Sequence, residues 1–164
     1  MITNETFVFD FTTKTWTKLH FHNSFVPSER AAHAATPVSE MQMVVYGGAA
    51  SGSQGLLKDE LYLLDLRKEP TWKIIDVAPK NNTPGQRYGH TMVFNKPHLI
   101  IFGGNSGNRV ENDVWLLNFQ RGPFSWVKYE FENGRMPCPR VYHSAALCEE
   151  GRVAGMMVVY GGRR

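Results

Sequence analysis

Short apolar runs alternate with turn-forming residues along the whole chain, and no stretch shows a 3.6-residue apolar period flanked by helix caps. Three runs are almost continuously apolar and end in a glycine pair: MQMVVYGG, HLIIFGG and GMMVVYGG. Such runs are expected for strands buried on both faces. Other runs are rich in Val, Ile, Tyr, Phe and Trp and are bounded by Gly, Pro and Asn, as is typical of strands and turns. The pattern predicts an all-β protein.

Four sequence markers recur with a common period of about 55 residues, which indicates a repeat architecture. They are a glycine pair, an Arg-x-x-His motif, a tryptophan and an apolar segment of the LYLLDL type. The glycine pairs are 56 and 58 residues apart, the arginines 57 and 53, and the tryptophans 56 and 54. The markers lie at Gly47-Gly48, Gly103-Gly104 and Gly161-Gly162, at Arg30/His33, Arg87/His90 and Arg140/His143, at Trp16, Trp72 and Trp126, and in residues 6–11, 60–66 and 113–119.

Each period is interpreted as four short antiparallel strands. The first begins at the histidine, the second is the run before the glycine pair, the third is the LYLLDL segment, and the fourth carries the tryptophan. Short links between the runs suit hairpins. In this phase, residues 1–26 supply strands three and four of a partial unit, residues 27–84 and 85–137 form two complete units, and residues 138–164 supply strands one and two of a last partial unit.

A four-stranded unit with Gly-Gly after strand two and an aromatic residue on strand four resembles the blade of a kelch β-propeller. The segments PSERAAHAATPV, GLLKDELYLLDL, PGQRYGHTMVF, NDVWLLN and PCPRVYHSAALC look like the N-terminal kelch region of kelch-bearing serine/threonine phosphatases of plants and alveolate parasites. The resemblance implies about three blades' worth of four-stranded antiparallel sheets, which is half of a six-bladed ring.

The same resemblance implies a longer parent protein with a two-metal phosphatase domain. The motifs that hold those metals in the family, GDxHG, GDxxDRG and GNHE, are absent from this chain. No GxSxG nucleophile turn is present either. We therefore expect these residues to be neither catalytic nor cofactor-binding, with two metal ions expected only in a parent phosphatase domain.

Composition narrows the classes of function. A net charge of +3 and short apolar runs argue against nucleic-acid binding and against a membrane-spanning helix. A hydrophobic fraction of 42% and an aromatic fraction of 12% exclude a disordered chain. Two cysteines, Cys138 and Cys148, are too few for a disulfide scaffold, so we expect an intracellular location, cytoplasmic or nuclear.

The partial units leave two interpretations of the assembly open. An open half-ring would expose two strand edges and apolar sheet faces, which favours association. Two copies could associate head to tail as a homodimer, each C-terminal half-blade completing the other copy's N-terminal half-blade, to close six blades. Alternatively, the chain is a fragment whose remaining blades are missing.

The repeated residues are better explained as scaffold than as a catalytic centre, because chemistry needs a single constellation whereas these residues recur with the period of the fold. The glycine-rich GGNSGN segment is followed by a strand rather than by the helix N-terminus that a phosphate loop needs. No catalytic or metal-binding residues are predicted. The predicted structural set is Arg30, His33, Gly47, Gly48, Trp72, His90, Gly103, Gly104, Trp126, His143, Gly161 and Gly162.

Binding residues are expected on loops held by a rigid scaffold. The links from strand two to strand three (residues 49–59 and 105–112) and from strand four to strand one (78–86 and 132–139) are long, and kelch domains place both classes on one face. Their basic and aromatic residues suit an acidic or phosphorylated peptide, although the three repeated arginines could instead pair internally. The candidate binding residues are Lys58, Arg87, Tyr88, Asn105, Arg109, Arg140 and Tyr142.

The function predicted first is a protein–protein interaction module, as a regulatory or targeting part of a serine/threonine phosphatase. The alternative from a different class is a small kelch enzyme, an isomerase or lyase, with its site at the mouth of the channel. A purely structural repeat segment is the third interpretation.

Overall fold

The computed structural model describes residues 1–22, 25–51, 55–132 and 134–164. The predicted binding loops 49–59 and 132–139 therefore lie partly outside the described residues. Over the described ranges the chain forms twelve strands, one short 3₁₀ turn (Gly151–Val153) and no α-helix. Nothing in those ranges is a helix of the length and apolarity that crossing a bilayer demands. The prediction of an all-β protein is confirmed.

Two four-stranded antiparallel sheets form the middle of the molecule, and each follows chain order from its inner to its outer strand. We call them the first and second complete blades. The first contains β3 (Ala34–Ser39), β4 (Gln42–Tyr46), β5 (Leu61–Asp65) and β6 (Thr71–Ile75), and the second contains β7 (Thr91–Asn95), β8 (His98–Asn105), β9 (Val110–Asn118) and β10 (Trp126–Tyr129).

Two-stranded antiparallel pairs flank these sheets at the two ends of the chain. The N-terminal pair consists of β1 (Phe7–Asp10) and β2 (Thr15–Lys18), and the C-terminal pair consists of β11 (Val141–Cys148) and β12 (Met156–Arg163). Aligning the repeats makes β1 and β2 equivalent to strands three and four of a blade, and β11 and β12 equivalent to strands one and two. The described residues thus form two complete four-stranded units flanked by two half-units, as expected for part of a propeller.

Strand β5 is buried along its whole length, which explains why its sequence is apolar from Leu61 to Leu64. Leu61 and Leu63 point into the core between the two complete blades, whereas Tyr62 and Leu64 point to the opposite face of their sheet. The core between the blades contains Ala34, Val44, Tyr46, Leu61, Leu63, Val77, Met92, Leu99, Ile101, Trp115, Leu117 and Trp126. This face-to-face packing fixes the second blade against the first, and it thereby fixes the positions of the loops that connect their strands.

Candidate functional site

The arginine of each Arg-x-x-His motif makes the same hydrogen bond in its own blade. Its Nη1 donates to the carbonyl oxygen of the first glycine in the glycine pair that follows the second strand. The donor–acceptor distances are 2.9 Å for Arg30–Gly47, 2.8 Å for Arg87–Gly103 and 3.1 Å for Arg140–Gly161. The contact ties the start of strand one to the end of strand two.

Arg87 is the most enclosed of the three arginines, with a side chain only 2% exposed. Its guanidinium donates to both carboxylate oxygens of Asp113, at 2.8 and 3.1 Å, and to the carbonyl of Pro84. Burial opposes ionisation of Asp113, but the hydrogen bonds and charge of Arg87 outweigh it and lower the pKa of that carboxyl. Arg87 is therefore removed from the predicted binding face, because a partner cannot reach it.

In the two complete blades, the first glycine of the pair fills a narrow space against the next blade. A Cβ at Gly47 would lie 2.5 Å from the carbonyl oxygen of Arg87, and Gly47 has a left-handed φ of +67° that other residues rarely adopt. The next glycine, Gly48, donates its N–H to the same carbonyl at 2.8 Å. Gly103 and Gly104 repeat both contacts with Arg140, at 2.9 Å in each case. Adjacent blades are joined through these backbone contacts.

His90 and His143 are buried between neighbouring blades, whereas His33 is exposed. The ring of His90 packs edge-on against Tyr46 of the preceding blade at a centroid distance of 5.7 Å. Burial, with the nearby Arg87 charge, lowers the pKa of His90 to about 3. Burial also lowers the pKa of His33 and of His143, whose Nε2 is 2.9 Å from the Thr91 hydroxyl. The buried imidazoles of His90 and His143 therefore have a structural role.

The three tryptophans do not share one environment. Trp126 is 1% exposed and packs against Tyr46 of the first complete blade at 5.8 Å, and Trp72 is also buried. Trp16 is 68% exposed and contacts Phe9 of its own strand pair. Trp16 lacks the burial of the other two, because the part of the chain that the structure describes places no neighbouring sheet over it.

Loop residues of the second complete blade meet the C-terminal strand pair. The rings of Tyr88 and Tyr142 are 5.9 Å apart, and the guanidinium carbon of Arg163 lies 5.4 Å from the centre of the Tyr142 ring. Asn105 pairs with Tyr88 through two backbone hydrogen bonds of 3.1 and 2.9 Å. The exposed Arg109 follows in the same hairpin. We call Tyr88, Asn105, Arg109, Tyr142 and Arg163 the tyrosine–arginine face.

Arg109 and Tyr142 are the most accessible of the predicted members of this face. The Arg109 side chain is 74% exposed and its Nε donates to Glu111 at 2.9 Å, while Tyr142 is 53% exposed. Arg163 was missed from the sequence, because only the pairing of Val141 with Arg163 across β11 and β12 brings it beside Tyr142. No motif in the sequence signals that contact.

Lys58 and Arg140 are the two predicted basic residues that we do not include in the tyrosine–arginine face. Lys58 is exposed but borders a separate cleft with Asp59, Glu60 and Lys80. The half-buried Arg140 donates to the carbonyls of Cys138 and Gly161. Neither adds an available positive charge next to Arg109.

The first strands of the blades line a concave surface of about 510 Å³ that corresponds to the inner channel. Its walls are mostly small or apolar side chains, and Glu149 is the single titratable residue among the lining residues of the described chain. In the described ranges, no three His, Cys, Asp or Glu side chains cluster as a metal site would require. The residues that line this surface include no acid–base pair, and His33 and His90 line a neighbouring cavity of about 300 Å³ on the same strands.

Comparison with known proteins places the fold in a family. The model of the KLHDC2/KLHL20/DRC7 Kelch-repeats domain matches residues 1–164. The serine/threonine-protein phosphatase BSL2 of Arabidopsis thaliana is 37% identical over 94% of the chain, the F-box/kelch-repeat protein At1g51550 of the same plant is 32% identical over 83%, and the human Kelch domain-containing protein 10 is 31% identical over 93%.

The chain spans only part of each relative: 14% of the phosphatase, 29% of the F-box protein and 33% of the human protein. The three relatives are different kinds of protein by name, and each contains a segment that matches this chain. The match over the full length agrees with the repeated Arg, His and Gly-Gly contacts and with the four-stranded antiparallel sheets. The chain therefore belongs to the kelch-repeat family.

Proposed function

We propose that this kelch-repeat chain binds an acidic or phosphorylated segment of a partner protein through the tyrosine–arginine face. Kelch repeats are a protein-interaction module, and the binding residues of a rigid repeat scaffold concentrate on its loops. The observation that carries the proposal is the exposed Tyr142, which contacts Tyr88 and Arg163, together with the exposed Arg109 in the hairpin that follows Asn105. Arg and Tyr are the residue types that dominate binding energy at interfaces.

The chemistry of this face favours an anionic ligand. The planar guanidinium group of arginine binds carboxylate and phosphate groups through two parallel hydrogen bonds. Glu111 already occupies the Nε side of Arg109 in the free protein. A ligand anion would therefore compete with that contact or bind the remaining guanidinium nitrogens, while the tyrosine rings supply apolar area.

We further propose that the chain serves as the regulatory or targeting part of a serine/threonine phosphatase. The similarity to the Arabidopsis phosphatase supports this place, and the catalytic metals would belong to a different domain. Sequencing the transcript downstream of the codon for residue 164 tests this proposal. Phosphatase metal motifs downstream are the expected result, and a domain of another class there would contradict the proposal.

Binding to the tyrosine–arginine face is tested with a fluorescein-labelled decapeptide of Glu and Ser, prepared with and without phosphoserine. Arg109→Ala is expected to weaken binding about tenfold, since a charge-assisted hydrogen bond contributes roughly 1.5–3 kcal/mol. Arg67→Ala is the matched control, because Arg67 is also exposed and paired with a carboxylate, that of Asp65, but lies in the link after β5. No binding by the wild-type chain, or equal losses in both variants, would overturn the proposal.

A further inference from the structure

A threonine followed by a proline lies in the long link that joins the two complete blades. The Thr-Pro dipeptide occurs twice in the chain, at Thr36-Pro37 and at Thr83-Pro84, and Ser-Pro does not occur. Proline-directed protein kinases phosphorylate a serine or threonine that precedes proline, because their substrate pocket offers no acceptor for a backbone N–H at the next residue and proline has none. The sequence therefore contains two candidate sites for this class of kinase.

The structure distinguishes the two threonines by the elements that hold them. Thr36 lies in β3, where it is 9% exposed and paired with Val44 of β4. A kinase binds its substrate as an extended, unpaired segment, so it reaches Thr36 only after the first complete blade has unfolded. Thr83 lies outside the strands, in the link of residues 78–86, and residues 78–82 of that link are exposed. Local opening of the link is therefore sufficient to present Thr83.

The Thr83 hydroxyl is held by hydrogen bonds in the unmodified protein. It donates to Oδ2 of Asp59 at 2.5 Å and accepts the N–H of Gly85 at 3.2 Å. Thr83 itself is half-buried, and Pro84 is buried. Because Asp59 lies shortly before β5, the contact ties the link between the blades to the third strand of the first complete blade. The hydroxyl becomes available to a kinase when this contact breaks.

The same link connects the two complete blades by hydrogen bonds on both sides of Thr83. The Asn82 side chain donates from Nδ2 to the carbonyl of Trp126 in β10 at 2.8 Å. The Tyr46 hydroxyl, on β4 of the first complete blade, donates to the carbonyl of Gly85 at 3.0 Å. Thr83 lies between these two contacts in the sequence. A change at Thr83 therefore acts on the junction of the blades.

A phosphate on Thr83 would meet charges of both signs. Thr83 lines a cleft of about 200 Å³ together with Lys58, Asp59, Glu60 and Lys80. Phosphorylation replaces a hydroxyl that donates to Asp59 with a group of about two negative charges, which the same carboxylate repels. The two lysines of the cleft offer the phosphate charge-assisted hydrogen bonds instead. Phosphorylation is therefore expected to break the contact with Asp59 and to move the link.

We propose that Thr83 is a phosphorylation site for a proline-directed kinase, and that its phosphate releases the link between the two complete blades. In the transfer, the Thr83 hydroxyl oxygen bonds to the γ-phosphorus of ATP on the kinase, the bond from that phosphorus to the β–γ bridging oxygen breaks, and ADP leaves. The catalytic aspartate of the kinase accepts the hydroxyl proton. Asp59 holds the same hydroxyl in the unmodified protein, so its contact limits how fast the site reacts.

Incubation of the 164-residue chain with a purified mitogen-activated protein kinase and ATP tests the site, with phosphopeptide mass spectrometry as the measurement. Phosphate at Thr83 and none at Thr36 is the expected result, and Thr83→Val is expected to remain unmodified at both positions. An unmodified Thr83, or equal phosphorylation of Thr36, would overturn the proposal. The tyrosine–arginine face contains neither threonine, so failure here is distinguishable from failure of the proposed ligand binding.

The initial rate of phosphorylation tests the role of Asp59. Asp59→Ala is expected to raise the rate at Thr83 about tenfold, because the hydroxyl loses its charged hydrogen-bond partner. Glu60→Ala is the matched control: Glu60 is the next carboxylate along the chain and lines the same cleft, but it accepts the Tyr62 hydroxyl at 2.6 Å. This control is expected to react at the rate of the wild type. Equal rates in the two variants would contradict the role of Asp59.

Thermal unfolding of the phosphorylated wild type tests the release of the link without any substitution. The phosphorylated chain is expected to melt about 3–6 °C below the unmodified chain, because it loses the hydrogen bond between Thr83 and Asp59. Removal of the phosphate with a protein phosphatase is expected to restore the original melting temperature. An unchanged or raised melting temperature after complete phosphorylation would contradict the release of the link.

Discussion

Arg87 and Arg109 both pair with a carboxylate, but their side chains differ in exposure to solvent. The Arg87 side chain is 2% exposed and its partner Asp113 is 12% exposed, whereas the Arg109 side chain is 74% exposed. Breaking a buried pair leaves a desolvated charge without its partner, which costs about 3–5 kcal/mol, while an exposed pair contributes less than about 1 kcal/mol. The two arginines therefore have different roles.

Asp113→Asn is expected to lower the free energy of unfolding by about 3 kcal/mol, because the buried guanidinium of Arg87 loses its counter-charge. Glu111→Gln is the matched control, since it removes a carboxylate whose arginine partner is exposed, and its expected loss is below about 1 kcal/mol. Urea unfolding of both variants measures the difference. Equal losses would show that the Arg87 pair has no structural role.

His90 makes stability depend on pH. Its pKa is lowered to about 3 by burial, whereas an unfolded chain has a histidine pKa near 6.5. Between these values the unfolded state binds a proton that the folded state does not bind, so stability falls as the pH drops below about 6.5. For His90 alone, the expected loss from about pH 7 to about pH 5 is about 2 kcal/mol.

His90→Gln is expected to remove about 2 kcal/mol of the difference in stability between about pH 7 and about pH 5, whatever the variant costs at neutral pH. Met41→Gln provides the control, because Met41 is exposed and carries no titratable group, so this variant is expected to keep the pH dependence of the wild type. Chemical unfolding at the two pH values gives the comparison. An unaltered pH dependence in His90→Gln would contradict the buried, neutral imidazole.

At the scale of the elements, the glycine pairs of the two complete blades join their second strands to the next blade. Gly47 and Gly151 both have a left-handed φ, of +67° and +75°, but a Cβ at Gly151 would meet nothing within 4 Å whereas one at Gly47 would lie 2.5 Å from the Arg87 carbonyl. A side chain would therefore strain the backbone at both positions, but only at Gly47 would it also clash with neighbouring atoms.

Gly47→Ala is expected to be more destabilising than Gly151→Ala by about 1–3 kcal/mol. Both variants strain a left-handed backbone, but only the alanine at position 47 also displaces the neighbouring blade. Thermal unfolding of the two variants checks the difference. Similar melting temperatures would mean that the blades do not pack through the glycine slot.

At the scale of the whole molecule, the period of the markers was sufficient to predict the all-β fold. One repeat places the apolar run, the glycine pair and the tryptophan on successive strands, and the sheets follow that order. The environment of Trp16 could not be predicted, because it depends on whether another sheet lies over β2. The repeat also left open whether Arg87 binds a partner or pairs internally, since the Asp113 carboxylate reaches Arg87 only after the strands have paired.

Parts of the candidate site depended on contacts between distant segments. Tyr88 and Tyr142 were predicted on the loop face, but their contact needs the second complete blade and the C-terminal pair to pack together. Arg163 joins them only through the pairing of β11 with β12. Residue type and loop length therefore indicate which side chains are available for binding, and the packing of blades decides which of them meet.

The central claim is that successive blades are joined by hydrogen bonds from the second glycine of each pair to the next arginine carbonyl. Amide hydrogen exchange measured by NMR tests it at single residues. The N–H groups of Gly48 and Gly104 donate to Arg87 and Arg140 at 2.8 and 2.9 Å, so both are expected to exchange slowly. The exposed loop residue Gly151 is expected to exchange fast. Exchange of Gly48 and Gly104 at the rate of Gly151 would contradict the account.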